Sequence, residues 1–141
     1  CPQLQVLRIE GSLYFGAVNH VGEYLHHMEE RKPGQKHLLL LGRSMNFVDV
    51  AGAELLAQEA RRRRARGGGL WFHGLREGAA TMLSKEPFAG DIGPEASFTE
   101  KRDAIAGIYA RLDKDVCARC RKRIFEECGP AAKVSPGTTA S

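Results

Sequence analysis

His37-Leu38-Leu39-Leu40-Leu41 holds four consecutive leucines with no polar position among them. A strand with no polar alternation has both faces buried, which is how strands of parallel sheets flanked by helices read. The run ends in a polar turn from Gly42 to about Val48. Asp49 then stands at the head of a helical pattern over residues 51–64. Aspartate is a preferred N-cap because its carboxylate accepts the unpaired N–H groups of the first turn. Gly52, in that first turn, lets another backbone or an anion come close. The unit is therefore a buried strand, a tight turn, and a helix whose N-terminus faces a partner or an anion.

The rest of the chain repeats this alternation. Residues 4–9 are mostly apolar and read as a strand covered on both faces. Glu10-Gly11-Ser12 reads as a turn and Leu13-Tyr14-Phe15 as a short second strand. Asn19 offers an N-cap for a helix to about Arg31, stopped by Lys32-Pro33-Gly34. Gly67-Gly68-Gly69 ends the second helix, and Leu70-Trp71-Phe72-His73 forms the next strand. A short helix spans residues 76–84, and residues 88–92 read as a weakly marked fifth strand. Ser97-Phe98-Thr99-Glu100 matches a capping box ahead of a helix carrying Ile105, Ile108 and Leu112. Residues 113–127 continue as a further helix. Residues 129–141 are small, polar and proline-containing, and read as a disordered tail. The order implies helices packed on a mostly parallel sheet of about five strands, an α/β fold.

At 141 residues there is room for one domain with an appendage. No apolar run approaches the roughly 20 residues that span a bilayer. A net charge of +4 favours an acidic partner or an anionic membrane face but is too small to indicate nucleic acid. The opening Cys1-Pro2, without an initiator Met or a signal peptide, reads as a piece of a longer polypeptide. Four cysteines in that setting suggest reduced thiols in cytosol.

The loop Asp49-Val50-Ala51-Gly52 resembles the signature loop of STAS domains, the module shared by anti-sigma-factor antagonists and the cytoplasmic ends of SulP (sulfate permease) anion transporters. In regulatory members that loop reads Asp-(Ser/Thr)-(Ser/Thr)-Gly, and its second hydroxyl is the phosphorylation site. Here Val50 and Ala51 carry no hydroxyl. The segment Gly11-Ser12-Leu13-Tyr14-Phe15-Gly16-Ala17 is similar to one in transporter members, as is Asp91-Ile92-Gly93-Pro94-Glu95 before a helix. The resemblance covers residues 1–112. It implies a STAS domain there; the helical pattern and the tail composition add an extension over 113–128 and a disordered tail over 129–141.

Three further features carry a chemical and a plain reading side by side. Asp49 to Gly52 can dock an anion or a partner, and can equally be an N-cap; the two are compatible. Arg61, Arg62, Arg63, Arg64 and Arg66 fan around a helix end, where they complement the helix dipole or meet an acidic protein or anionic lipid. Aromatic stacking platforms for nucleic acid are missing beside them. Cys117, Cys120 and Cys128 can grip zinc, run thiol–disulfide chemistry, cross-link chains or simply pack. On one continuous helix Cys117 and Cys128 would stand about 16 Å apart along the axis. That spacing favours packing and no metal. His20, His26, His27, His37 and His73 lack metalloenzyme spacing, and no nucleophile, base and oxyanion donor assemble.

The expectation is thus a non-catalytic, cofactor-free regulatory and protein-interaction domain of a SulP-type transporter of sulfate or bicarbonate. It would sit on the cytoplasmic face of the inner (plasma) membrane. Expected partners are the transmembrane portion of the same transporter, a cytosolic regulatory protein or an anionic lipid surface, and a second copy. A free-standing anti-sigma-factor antagonist, a nucleotide- or acyl-binding module, and a cysteine-based redox or zinc module are the alternatives.

Overall fold

A computed structural model describes residues 1–13, 15–122 and 124–128, with nothing said of the Phe15 side chain. Tyr14 and the tail expected over 129–141 lie outside the described residues.

Four strands form an all-parallel sheet in the order β1 (Leu4–Arg8), β3 (His37–Leu41), β5 (Gly69–His73), β6 (Ser97–Phe98). Two more, β2 (Gly11–Leu13) and β4 (Met45–Val48), pair in parallel as a separate ribbon. Helices α1 (Phe15–Arg31), α2 (Val50–Ala65), α3 (Glu77–Leu83), α4 (Lys101–Tyr109) and α5 (Lys114–Arg119) complete the regular elements. The expected α/β architecture holds, with six strands in two sheets among the described residues.

The leucine run behaves as its lack of polarity requires. Successive side chains of a strand point to opposite faces. Leu38 and Leu40, with Leu70 and Phe72 of β5, therefore join α2 residues Leu56 and Ala60 in one core layer. Leu39 and Trp71 point the other way, onto Ile105 and Ile108 of α4. The register sets Leu39 beside Trp71 and His37 beside Gly69.

Several elements differ from the sequence reading. Glu10-Gly11-Ser12 is not purely a turn, because Gly11 and Ser12 already pair with Met45 and Phe47. Helix α1 starts at Phe15, so Asn19 lies inside it and caps nothing. Residues 88–92 contain a 3-10 turn at Phe88–Gly90 in place of a strand. There Phe88 and Ile92 contribute to the core from an irregular segment, which meets the burial requirement without sheet pairing. The capping box is absent: Ser97 is extended and pairs with Phe72, and α4 begins after Glu100 without a side-chain cap. The long helix expected over 113–127 is broken. Asp113 caps α5 through the N–H of Asp115, but Cys120 is already extended and Glu126–Cys128 forms a separate 3-10 turn.

Candidate functional site

The ribbon β2–β4 builds the signature loop. Its strands deliver Leu13 and Val48 side by side, and the Asp49 N–H donates to the Leu13 carbonyl at 3.1 Å. Asp49 leaves the ribbon in extended conformation and caps α2, its Oδ1 accepting from the Gly52 N–H at 2.9 Å. Gly52 presses on β2: a Cβ there would lie 2.5 Å from the Leu13 carbonyl oxygen and 2.9 Å from Leu13 Cγ. The glycine of the motif is thus required by close backbone approach. The carboxylate of Asp49 already engages the Gly52 N–H that an incoming anion would seek.

Two apolar side chains flank the loop in exposed positions. Phe47 is 52% exposed and Val50 59% exposed, although both are large hydrophobic residues. Of the loop residues, Ala51 lines an open groove of about 360 Å³ between α1 and α2, together with Asn19, Glu54, Leu55 and Gln58 among others. β4 is one of the elements that sequence reasoning missed. Its burial runs buried, exposed, exposed, buried, so it lacks the period-two signal of a half-buried strand.

The arginine run is not a free basic surface. Arg63 is buried, with its Nε 2.6 Å from Glu59 and its guanidinium donating to the carbonyls of Gln35 and Lys36 at 3.2 Å. Arg62 bridges Glu59 at 2.9 Å and Glu29 at 2.5 Å, and Arg66 meets Glu29 at 3.3 Å. Arg61 pairs with Asp91 at 2.5 Å, and Arg64 donates to the Asp91 carbonyl. The five side chains therefore fasten α2 to α1, to the β3 lead-in and to the segment before β6. Arg63 is thereby withdrawn from the docking surface that the sequence suggested, whereas Arg61 and Arg62 stay about half exposed. The Gly67 turn, at φ +87°, closes the helix behind them.

The broken C-terminal helix changes the surroundings of the cysteines. Cys117, Cys120 and Cys128 are not strung along one helix; together with Cys1 they line a single small cavity walled also by Leu112 and Ile124. Gln3, which the sequence did not single out, ties this region to β1. Its side chain accepts from the Asp113 N–H at 2.8 Å and donates to the Asp113 carbonyl at 3.0 Å and to Cys117 Sγ at 3.4 Å. Burial pushes the Cys117 thiol up, opposed by Lys114 and reinforced by the neighbouring Cys128 and Cys120. Among the described residues, no three His, Cys, Asp or Glu side chains stand grouped to hold a metal ion as placed. Nor is any helix among them long and apolar enough to cross a membrane.

The model of the STAS domain family matches residues 2–103, which takes in β1 through the start of α4 and the whole Asp49 loop. The chain belongs to the STAS domain family. As a STAS domain it is 27% identical over 106 residues to the candidate sulfate transporter YvdB of Bacillus subtilis (strain 168), a match covering 75% of this chain and 19% of that protein. The chain thus spans about a fifth of the curated relative. Among solved structures it is similar to a sulfate transporter family protein from Wolinella succinogenes, with TM-score 0.64 and 22% identity over 77% of this chain and 86% of that one. It is also similar to the anti-sigma factor antagonist SpoIIAA in its unphosphorylated form, with TM-score 0.64 and 17% identity over 80% of this chain and 94% of that one. At these identities the two structures establish the shared fold.

Proposed function

We propose that this STAS domain is the regulatory and protein-interaction portion of a SulP-type anion transporter, held on the cytoplasmic side of the membrane and without catalysis of its own. The observation that carries this reading is the match to YvdB, in which a domain of this length is a minor part of a protein named for sulfate transport. The loop agrees with it. Val50 and Ala51 offer no phosphoacceptor, so the phospho-switch of an anti-sigma-factor antagonist has no residue to act on. Exposed Phe47 and Val50 instead suit a stable apolar contact, and the transmembrane portion of the same transporter is the proposed partner.

The test has two arms. The reading frame that contains these residues should encode ten or more apolar spans ahead of Cys1. Vesicles carrying the full product should take up labelled sulfate or bicarbonate, and Phe47→Ser with Val50→Ser should reduce uptake at equal protein level. A frame without apolar spans, or uptake indifferent to the paired substitution, would remove the proposal.

A further inference from the structure

We propose that a groove at the amino end of the main sheet binds a small, soluble, diphosphate-bearing molecule through Lys32, Arg121 and Lys122. The groove has a volume of about 490 Å³, within the roughly 300–1,000 Å³ of small-molecule sites. One wall is the loop after α1, with Lys32 and Gly34, and the other is the segment after α5, with Arg121 and Lys122. Pro2, ahead of β1, and Gln35, ahead of β3, line it between those walls. No residue of the Asp49 loop takes part in the lining, so this is a separate site.

The charge of the groove has one sign. Every charged side chain that lines it is a cation, and all three are exposed. Among the described residues none of the three is in an ion pair, whereas Arg61, Arg62, Arg63 and Arg66 at the end of α2 each meet a carboxylate. The sequence shows why at the second wall. Arg119-Cys120-Arg121-Lys122-Arg123 places four cations in five positions, and no carboxylate lies between Asp115 and Glu126. A cleft lined by like charges focuses the field and concentrates counter-ions.

The first wall is fixed before a ligand arrives. The Gln35 N–H donates to the Lys32 carbonyl and the Lys36 N–H to the Gly34 carbonyl, both at 3.0 Å. Arg66 donates to the Pro33 carbonyl at 2.9 Å. The Gln35 side chain donates to the Cys1 carbonyl at 2.8 Å and so holds the N-terminal segment in place. Binding then has to order the three cationic side chains and little else. Two phosphates carry about the charge that three cations offset, and each offers several acceptor oxygens. The Arg121 fork can take two of those oxygens at once, while the two lysines act as point charges. A single oxyanion fills little of a groove this size, and an uncharged body has Pro2 and Gly34 to lie against.

The experiment titrates the 141-residue chain with inorganic pyrophosphate in a calorimeter at 0.15 M salt, where exposed charges beyond about 8 Å are screened. Binding should saturate at one equivalent. Sulfate and citrate should each bind at least ~10-fold more weakly. Lys32→Gln and Arg121→Gln should each weaken pyrophosphate binding about 10-fold or more, the usual worth of a charged hydrogen bond. Arg43→Gln with Lys101→Gln and Arg102→Gln removes three exposed cations that follow the carboxyl ends of β3 and β6, and should leave binding within about twofold of wild type. The wild-type comparison of pyrophosphate with citrate does not depend on how any variant folds. Absence of binding at millimolar pyrophosphate would overturn the proposal, as would equal affinity for citrate or sulfate. So would equal losses in the groove variants and the distant triple, which would leave only net charge. Binding to phosphatidylglycerol vesicles without binding to pyrophosphate would also overturn it, and would assign the cations to a lipid surface.

Discussion

The indole N–H of Trp71 on β5 donates to Nδ1 of His37 on β3 at 3.2 Å, inside the layer covered by α4. That bond needs Nδ1 unprotonated, which assigns the proton of the neutral ring to Nε2. Arg111 lies over the Trp71 ring at 4.8 Å and completes the stack.

His37 therefore makes acid stability sensitive to one side chain. Burial first, then the charges of Arg63, Arg111 and Lys36, lower its pKa from the usual 6.5 to about 4. Between those values the unfolded chain binds the proton and the folded one does not, so stability rises with pH. The contribution is complete above about pH 6.5 and is lost as pH falls toward 4. Its size is about 2 kcal/mol, somewhat under the full conversion of the shift. Denaturant titrations of wild type and His37→Gln at pH 7 and pH 4.5 should show a smaller loss on acidification in the variant. Parallel losses would disprove the assignment.

Arg63 and Arg61 are two positions apart and should differ sharply. Removing one partner of a buried pair leaves the other charge uncompensated, typically at about 3–5 kcal/mol. The Arg63 and Glu59 side chains are 3% and 4% exposed, so Arg63→Gln should fall in that range. Arg61 is 54% exposed beside Asp91, and Arg61→Gln should cost no more than about 1 kcal/mol. Urea midpoints measure both; equal effects would mean that the Arg63–Glu59 pair is not buried in solution.

The sequence made the central layers readable because their signal is local. The four leucines of β3 and the apolar run of β5 leave no alternative to two-sided burial, and Asp49 marks the start of α2 unaided. What escaped depends on distant partners. β4 is a strand because β2 lies beside it, while its own pattern does not alternate. Ser97 looks like a cap but is claimed by Phe72 across the sheet. Glu59 and Arg63 have helical spacing that anyone can read, yet their burial comes from the Gln35 and Lys36 carbonyls brought in by the fold. The helix break at Cys120 has no glycine or proline to announce it.

Asp49→Ala should lower stability by about 1 kcal/mol, the worth of an N-cap side chain. The bond lost is the 2.9 Å contact to the Gly52 N–H. Asp49→Asn, which keeps an acceptor oxygen at the same reach, should recover most of it. An unchanged denaturant midpoint in the alanine variant would show that the cap is not formed in solution.

Gly52→Ala tests why the signature loop ends in glycine. The added methyl would meet the Leu13 carbonyl oxygen at 2.5 Å, a distance that real side chains do not tolerate, and Leu13 is wholly buried at the end of β2. Neither group can yield cheaply: the carbonyl also receives the Asp49 N–H, and the Leu13 side chain belongs to the main core. Overpacking of this kind typically costs about 1–3 kcal/mol. The substitution should therefore cost more than Asp49→Ala, although alanine is the better helix former by roughly 1 kcal/mol. It should also disturb β2–β4 pairing, seen as faster hydrogen exchange at the Asp49 amide. A midpoint equal to or above wild type would mean that β2 does not press on α2, and that the motif glycine is kept free for a ligand rather than for this contact.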